Sequence, residues 1–163
     1  MARSSLTVND RKWRELKRRL PGIAKTAVTV GVQSDAGADQ DGTPLAARAA
    51  YNEFGTRGRT PRRGGWGGPI PARPFLGSTV DEERDKWGRA ADVAISQALT
   101  GRGTFEDGLA VLGTMAEDAV KTKIDTISDP PNSDLTVQLK GSDNPLVNTG
   151  ALRKAIRYKV VTS

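Results

Sequence analysis

The residue types that most often carry catalysis are absent from this sequence or placed where a simpler explanation suffices. Its 163 residues include no cysteine and no histidine, which removes thiolate nucleophiles, the commonest general base and the commonest zinc ligands. Glu82, Glu83 and Asp85 stand at the start of a predicted helix, where the helix dipole accounts for them. We expect no catalytic residue, no cofactor site and no metal site, and therefore a protein that is not an enzyme.

Two stretches resemble ligand-binding loops only in part. Asp35, Asp39 and Asp41 precede Gly42, but their spacing differs from that of a calcium-binding EF-hand loop and no glutamate closes it. The glycine-rich run 64–68 lacks the Lys-Ser/Thr pair of a phosphate-binding loop. We interpret the first stretch as a solvated turn and the second as backbone that can bend freely.

Positive charge is concentrated in two segments. The net charge is +6. Residues 1–25 hold eight lysines and arginines against two acidic residues, and residues 55–74 hold five arginines and no acidic residue. Such asymmetry favours an acidic partner, either a nucleic acid or an acidic protein surface.

The basic segment 55–74 is open to three interpretations. Arginine forks suit phosphates and an aromatic ring suits base stacking, but both residue types are also enriched at protein interfaces. A solvated loop is the third interpretation. We favour an arm or irregular hairpin that contacts protein over one that faces DNA. The candidate residues are Arg57, Arg59, Arg62, Arg63, Trp66 and Arg73.

The hydrophobic pattern predicts one α+β domain over residues 1–163, with a small antiparallel sheet packed against several helices and a long Arg/Gly-rich loop. Alternating valines predict strands at 27–32 and 156–161. Helical spacing predicts a basic helix within residues 1–25, with Trp13, Leu16 and Leu20 on its apolar face. Further helices are predicted at 45–54, 78–99, 104–127 and 132–140.

Local signals predict where these helices begin and end. Thr43, Ser78 or Thr79, Thr104 and Thr149 are predicted N-caps. Gly55 is predicted to end the helix 45–54 in a left-handed turn. The buried stripe predicted for the helix 78–99 consists of Val80, Trp87, Ala91, Ile95 and Ala98.

Three stretches in a fixed order resemble a known family. They are Val30–Val32 followed by 49–56, then 70–76 leading into a long helix, then 140–152 followed by Ile156. Together they resemble the phage tail-component and tail-completion (neck) proteins, a family often labelled virion morphogenesis proteins. The motif positions are Glu53, Phe54, Gly55, Pro71, Arg73, Pro74, Phe75, Asn148, Thr149 and Gly150. The sequence departs from the family in two places, with Asn148 where Asp is common and with a longer Arg/Gly-rich insertion.

The resemblance implies a structural virion protein that assembles with itself into a ring, a hexamer, at the head–tail junction. Its neighbours would be head-completion or connector proteins on one side and the tail tube or its terminator on the other. Genomic DNA would pass through the lumen and meet the ring without sequence preference. One alternative is the tail terminator that caps the tail tube, and a second, from another class, is a basic nucleic-acid-binding protein.

The expected location follows from the same resemblance and from hydropathy. No apolar run approaches the roughly 20 residues that span a bilayer, and no apolar signal segment opens the sequence. We expect synthesis in the host cytoplasm, incorporation into the neck or tail of the virion, and no membrane partner.

Overall fold

The computed structural model describes residues 11, 14, 15, 17, 18, 20, 25–58, 69–141, 143–146 and 150–162, except for the side chains at 135, 139 and 140. The described residues between 11 and 20 are helical and exposed, as the prediction of a basic helix requires. Leu20 is 44% exposed. Trp13 and Leu16, the other members of the predicted apolar face, lie outside the described residues.

From residue 25 onward, the described residues form five helices and two strands, which confirms the α+β class. The antiparallel sheet and the predicted helix 45–54 are also confirmed. In chain order the elements are β1 (Thr26–Val32), α1 (Leu45–Phe54), α2 (Phe75–Thr100), α3 (Phe105–Thr126), α4 (Asp134–Lys140), α5 (Ala151–Ala155) and β2 (Ile156–Thr162).

The two strands pair antiparallel, with Thr26 opposite Thr162 and Val32 opposite Ile156. Their side chains alternate in burial, so that one face of the sheet packs against α3 and the other is exposed. A two-stranded sheet is marginal alone, and α3 supplies the apolar surface that it needs. Contact is close at Gly113, where a Cβ atom would lie only 2.3 Å from the ring of Tyr158.

An antiparallel hairpin of α2 and α3 forms the largest helical contact. Thr104 is the N-cap of α3, as predicted, and forms a capping box with Asp107, while Gly101 ends α2 in a left-handed conformation. The two helices approach each other closely because Gly108 has no side chain, and a Cβ atom there would lie 2.3 Å from the Cβ of Ala94.

The predicted start of α2 was wrong, and its predicted buried stripe was only partly correct, since Ala98 is buried but Trp87 and Ala91 are half-buried. The helix begins at Phe75, so Ser78 and Thr79 lie inside it and their hydroxyls donate to the carbonyls four residues earlier. Phe75 is fully buried, and this anchor rotates the helix so that Val80 and Ile95 are exposed. The buried residues of α2 are Phe75, Thr79, Ala94 and Ala98.

The predicted cap of α1 was also wrong. Pro44 occupies the N-cap position, and no side chain caps the helix there. Thr43 is held instead in the preceding turn, because its N–H donates to Asp41 at 3.0 Å and its carbonyl accepts from Asp39 at 2.9 Å.

One hydrophobic core joins the elements. Phe75 of α2, Val120 and Ile124 of α3 and Ile156 of β2 are completely buried. Ala49, Leu146 and Leu152 complete the cluster. None of the helices in the described part of the chain is long and apolar enough to cross a membrane.

The α2–α3 contact predicts opposite effects for two glycines. Gly108→Ala should destabilise the protein by about 1–3 kcal/mol, because the added methyl group forces the helices apart. Gly88→Ala, in α2 with nothing within 4 Å of the added atom, should stabilise it by up to about 1 kcal/mol, since alanine favours the helix. Urea denaturation of both variants measures the difference. Equal effects would show that the crossing at Gly108 adapts without strain.

Candidate functional site

The motif residues between 52 and 75 meet at one junction, where the end of α1 lies against the segment that leads into α2. The N–H of Arg73 donates to the carbonyl of Asn52 at 2.6 Å. Thr56 and Ile70 form an antiparallel bridge, with the N–H of Thr56 donating to the Ile70 carbonyl at 2.8 Å. This bridge closes the base of the Arg/Gly-rich loop, of which residues 59–68 lie outside the described residues.

Glu53, which lies in α1, caps the N-terminus of α2. Its carboxylate accepts hydrogen bonds from the N–H groups of Leu76 at 2.9 Å and Gly77 at 2.8 Å. The N-cap position itself is Pro74, which offers no side-chain oxygen. The carboxylate therefore satisfies two of the unpaired N–H groups at the start of the helix and places negative charge where the helix dipole favours it.

Gly55 allows the chain to leave α1 close to the segment 70–72. Its φ is 70°, a conformation that favours glycine. Its ψ of 173° differs from that of the left-handed helical turn that the sequence predicted. A Cβ atom at this position would lie 2.8 Å from the N atom of Ala72 and 2.9 Å from the O atom of Ile70, so the close approach excludes any side chain.

Arg73 does not belong to an arm or face DNA, which corrects the prediction for this residue. The residue is only 4% exposed. Its Nε and Nη2 donate to the carbonyls of Pro130 at 2.7 Å and Pro131 at 3.0 Å. Burial lowers the pKa of the guanidinium from its ordinary value. The physical reason is the tight turn at Pro74, in which the N–H of Phe75 donates to the carbonyl of Arg73 at 2.8 Å, and both Arg73 and Phe75 are buried.

The other predicted site residues differ in their position and exposure. Arg57 is exposed, while Arg59, Arg62, Arg63 and Trp66 lie outside the described residues. Pro71 is exposed. Asn148 and Thr149, including the predicted cap at Thr149, also lie outside the described residues. Gly150, with a φ of 74°, occupies the N-cap position of α5.

Phe54 is the unusual member of the motif. It is 80% exposed, although its neighbours Glu53 and Gly55 are both held by contacts with α2 or the segment 70–72. Tyr51, one turn earlier, is 46% exposed. Ala46 and Ala50, about two turns and one turn before Phe54, are also exposed, so the outer face of α1 is apolar and uncharged. We call this surface, formed by Ala46, Ala50, Tyr51 and Phe54, the α1 face.

A cleft of about 470 Å³ lies on the other side of the junction, lined by Arg48, Asn52, Arg73, Asn132 and Leu152 among others. Its cations are already matched. Arg48 lies 2.7 Å from a carboxylate oxygen of Asp41 and 2.9 Å from one of Asp39, the latter contact falling short of hydrogen-bond alignment. The Thr43 N–H, with Arg48, lowers the pKa of Asp41 to about 2. The cleft therefore carries no surplus positive charge for a phosphate.

Within the described ranges, no group of three or more acidic side chains is arranged to hold a metal ion. The junction instead presents the aromatic side chain of Phe54 at the surface. Sequence reasoning identified Glu53 and Arg73 as motif positions but missed what each does, because each acts on a segment far away in the chain.

Removing the cap at Glu53 should destabilise the protein. Glu53→Ala leaves the first N–H groups of α2 without their acceptors and should reduce the free energy of unfolding by about 1–2 kcal/mol. Asp92→Ala is the matched control, an exposed acidic residue within α2, and should change it by less than about 0.5 kcal/mol. Chemical denaturation compares the two. Equal losses would contradict a capping role.

Arg73 and Arg57 should respond differently to the same conservative change. Arg73→Lys cannot reproduce the two-carbonyl contact of the guanidinium and should cost about 1–3 kcal/mol of stability. Arg57→Lys, at an exposed position, should have almost no effect. Thermal and urea unfolding measure both. A neutral Arg73→Lys together with a weakened interaction with DNA would restore the DNA-facing interpretation.

Comparison with protein-family models, with curated proteins and with solved structures finds no match to this chain. The resemblance to phage neck proteins therefore remains a hypothesis based on the motif residues.

Proposed function

We propose that this chain is a structural virion protein of a tailed bacteriophage, which forms a ring at the head–tail junction and joins the tail to the head connector. The observation that carries the proposal is the exposure of Phe54 on a backbone that is held on both sides. The order of the three motif stretches supports the family resemblance, and the junction supports the physical role.

An exposed aromatic side chain on rigid backbone is suited to binding protein. Aromatic residues dominate the hot spots of interfaces, and an anchor that is ordered before binding loses little conformational entropy when a partner covers it. Glu53 and Gly55 restrict the backbone on either side of Phe54. The motif thus presents an apolar contact residue at a defined place on the surface.

A ring built from identical subunits needs two different complementary surfaces on each one. The α1 face is one candidate, and it lies near the N-terminus of α2 because Glu53 caps that helix. The second is the exposed apolar pair Ile95 and Leu99, four residues apart on one face near the opposite end of α2. At a rise of 1.5 Å per residue, Leu76 and Ile95 are separated by about 28 Å. Two apolar surfaces near opposite ends of the same helix suit head-to-tail contacts.

The remaining partners follow from charge and position. A net charge of +6 would favour acidic faces of connector or tail proteins and would tolerate genomic DNA in the lumen. The tail terminator at the end of the tail tube is the nearest alternative role, and it uses the same kind of ring.

Changing Phe54 should weaken assembly without unfolding the subunit. In native mass spectrometry and negative-stain imaging, we expect the full chain to form hexameric rings, alone or with connector and tail proteins. Phe54→Ser should raise the dissociation constant between subunits by about 30-fold or more, the effect of losing an interface hot spot. Val111→Ser, at another exposed apolar residue, is the control and should leave the rings intact.

Circular dichroism separates assembly from folding, because a side chain that is 80% exposed contributes little to the core. A wild-type chain that remains monomeric with connector and tail proteins present would overturn the proposal. A salt titration of DNA binding tests the nucleic-acid-binding alternative. Affinity that falls steeply with salt, with a smaller slope for Arg62→Ala and Arg63→Ala, would favour that alternative.

A further inference from the structure

The hydrogen bonds that hold α4 lie within its own turns. The Ser133 hydroxyl caps the first turn by accepting from the N–H of Thr136 at 3.3 Å. Gly141 ends the helix in a left-handed conformation, and its N–H donates to the Val137 carbonyl at 2.9 Å. A helix of seven residues is marginal in water by itself, so α4 depends on these local caps and on its packing.

The packing of α4 is slight. Within the described ranges, no other helix or strand makes more than marginal contact with it. Asp134 and Gln138 are exposed, and Thr136 and Val137 are only half-buried. Among the described residues and side chains, no hydrogen bond or ion pair joins 133–141 to a residue outside that segment. The core would therefore lose few interactions if this segment alone unfolded.

The chain is anchored on both sides of α4. Before the helix, the guanidinium of Arg73 donates to the carbonyls of Pro130 at 2.7 Å and Pro131 at 3.0 Å. After the helix, the Nδ2 of Asn144 donates to the carbonyl of Asp125 at the end of α3, at 2.9 Å. These bonds hold the flanking backbone to the core whether α4 is wound or not.

Asn132 clamps the two ends of the segment to each other. Its Nδ2 donates to the carbonyls of Asp143 at 3.2 Å and Asn144 at 3.3 Å. The chain from 132 to 144 thus leaves the core and returns to it at one place. Compact surface loops with their ends held close together are frequently functional.

The same segment contributes to the cleft beside the junction. Ser133 and Thr136 line this cleft together with Ile70 and Arg73. Both residues belong to the capped first turn of α4, so their position depends on the helix being wound. Unwinding of α4 would remove them from the lining and widen the cleft.

We propose that α4 unwinds and refolds as a unit of its own while the core stays folded, and that this opening widens the cleft at Arg73. Local opening at low free energy occurs where buried apolar contacts are few and backbone hydrogen bonds are exposed, and α4 meets both conditions. The clamp at Asn132 and the anchors at Pro130, Pro131 and Asn144 confine the opening to the segment between them. The inference concerns a single subunit, so it is independent of the proposed ring, and neither result decides the other.

Hydrogen exchange of the full-length protein tests the proposal, because each amide exchanges through the lowest-energy opening that exposes it. The amides of 137–141 should exchange at least about 100-fold faster than those of Val120 and Ile124 in α3, and at least about 10-fold slower than in an unstructured peptide. Below the unfolding transition, urea should accelerate exchange in α3 but hardly in α4, since a local opening exposes little surface. Equal rates and equal urea dependence in both helices would overturn the proposal, as would a complete lack of protection in α4.

Gly108→Ala separates local from global opening. The strain at the α2–α3 crossing is present whether α4 is wound or not. Exchange in α3 should therefore be at least about fivefold faster in this variant, and exchange in α4 should not change. Equal acceleration of both helices would show that α4 opens only together with the core. If the variant does not fold, the urea dependence of the unmodified protein decides the same question.

Asn132→Ala tests the clamp. Loss of the two hydrogen bonds that join the ends of the segment should accelerate exchange in α4 by about fivefold or more. Gln138→Ala is the matched control, because Gln138 is exposed on α4 and alanine favours the helix, so exchange should not accelerate. Equal exchange in the two variants would overturn the role given to Asn132.

Discussion

The hydrogen bonds from the first N–H groups of α2 to the Glu53 carboxylate connect α1 to α2. They fix the end of α1 against the start of the longest helix, and this helix carries Phe75 into the core and packs along α3. Because Pro74 cannot cap the helix, the charge that stabilises its first turn comes from another element. The position of Phe54 depends on this contact, since it is the next residue in the chain.

The junction also explains why a motif can be specific without being catalytic. Glu53 and Gly55 satisfy demands of the backbone, and Arg73 donates to two carbonyls of the segment after α3. The residues between 52 and 75 thus join three segments of chain, and their contacts leave one large aromatic ring uncovered. For the proposed neck protein, the motif residues therefore serve to position a contact surface.

The fold was more predictable than the surface. Thr104 was correctly predicted as the N-cap of α3, because its hydroxyl accepts from the N–H of Asp107, only three residues along the chain. The predictions failed where the deciding group is distant. Ser78 and Thr79 are residue types that often serve as N-caps, but the helix begins earlier, at the buried Phe75. This start leaves Val80 and Ile95 exposed to solvent. Periodicity identifies a stripe but not the contact that sets its rotation.

The sequence by itself excluded thiol and imidazole chemistry, since no fold can supply an absent cysteine or histidine. It also determined the two strands, because alternation is a property of neighbouring residues. Only the tertiary structure decided the roles of Glu53, Arg73 and Phe54. The contacts of Glu53 and Arg73 join residues 23 to 58 positions apart, and nothing in the local sequence specifies which carboxylate will cap which helix. The exposure of Phe54 follows from these same contacts, so it too could be known only from the folded chain.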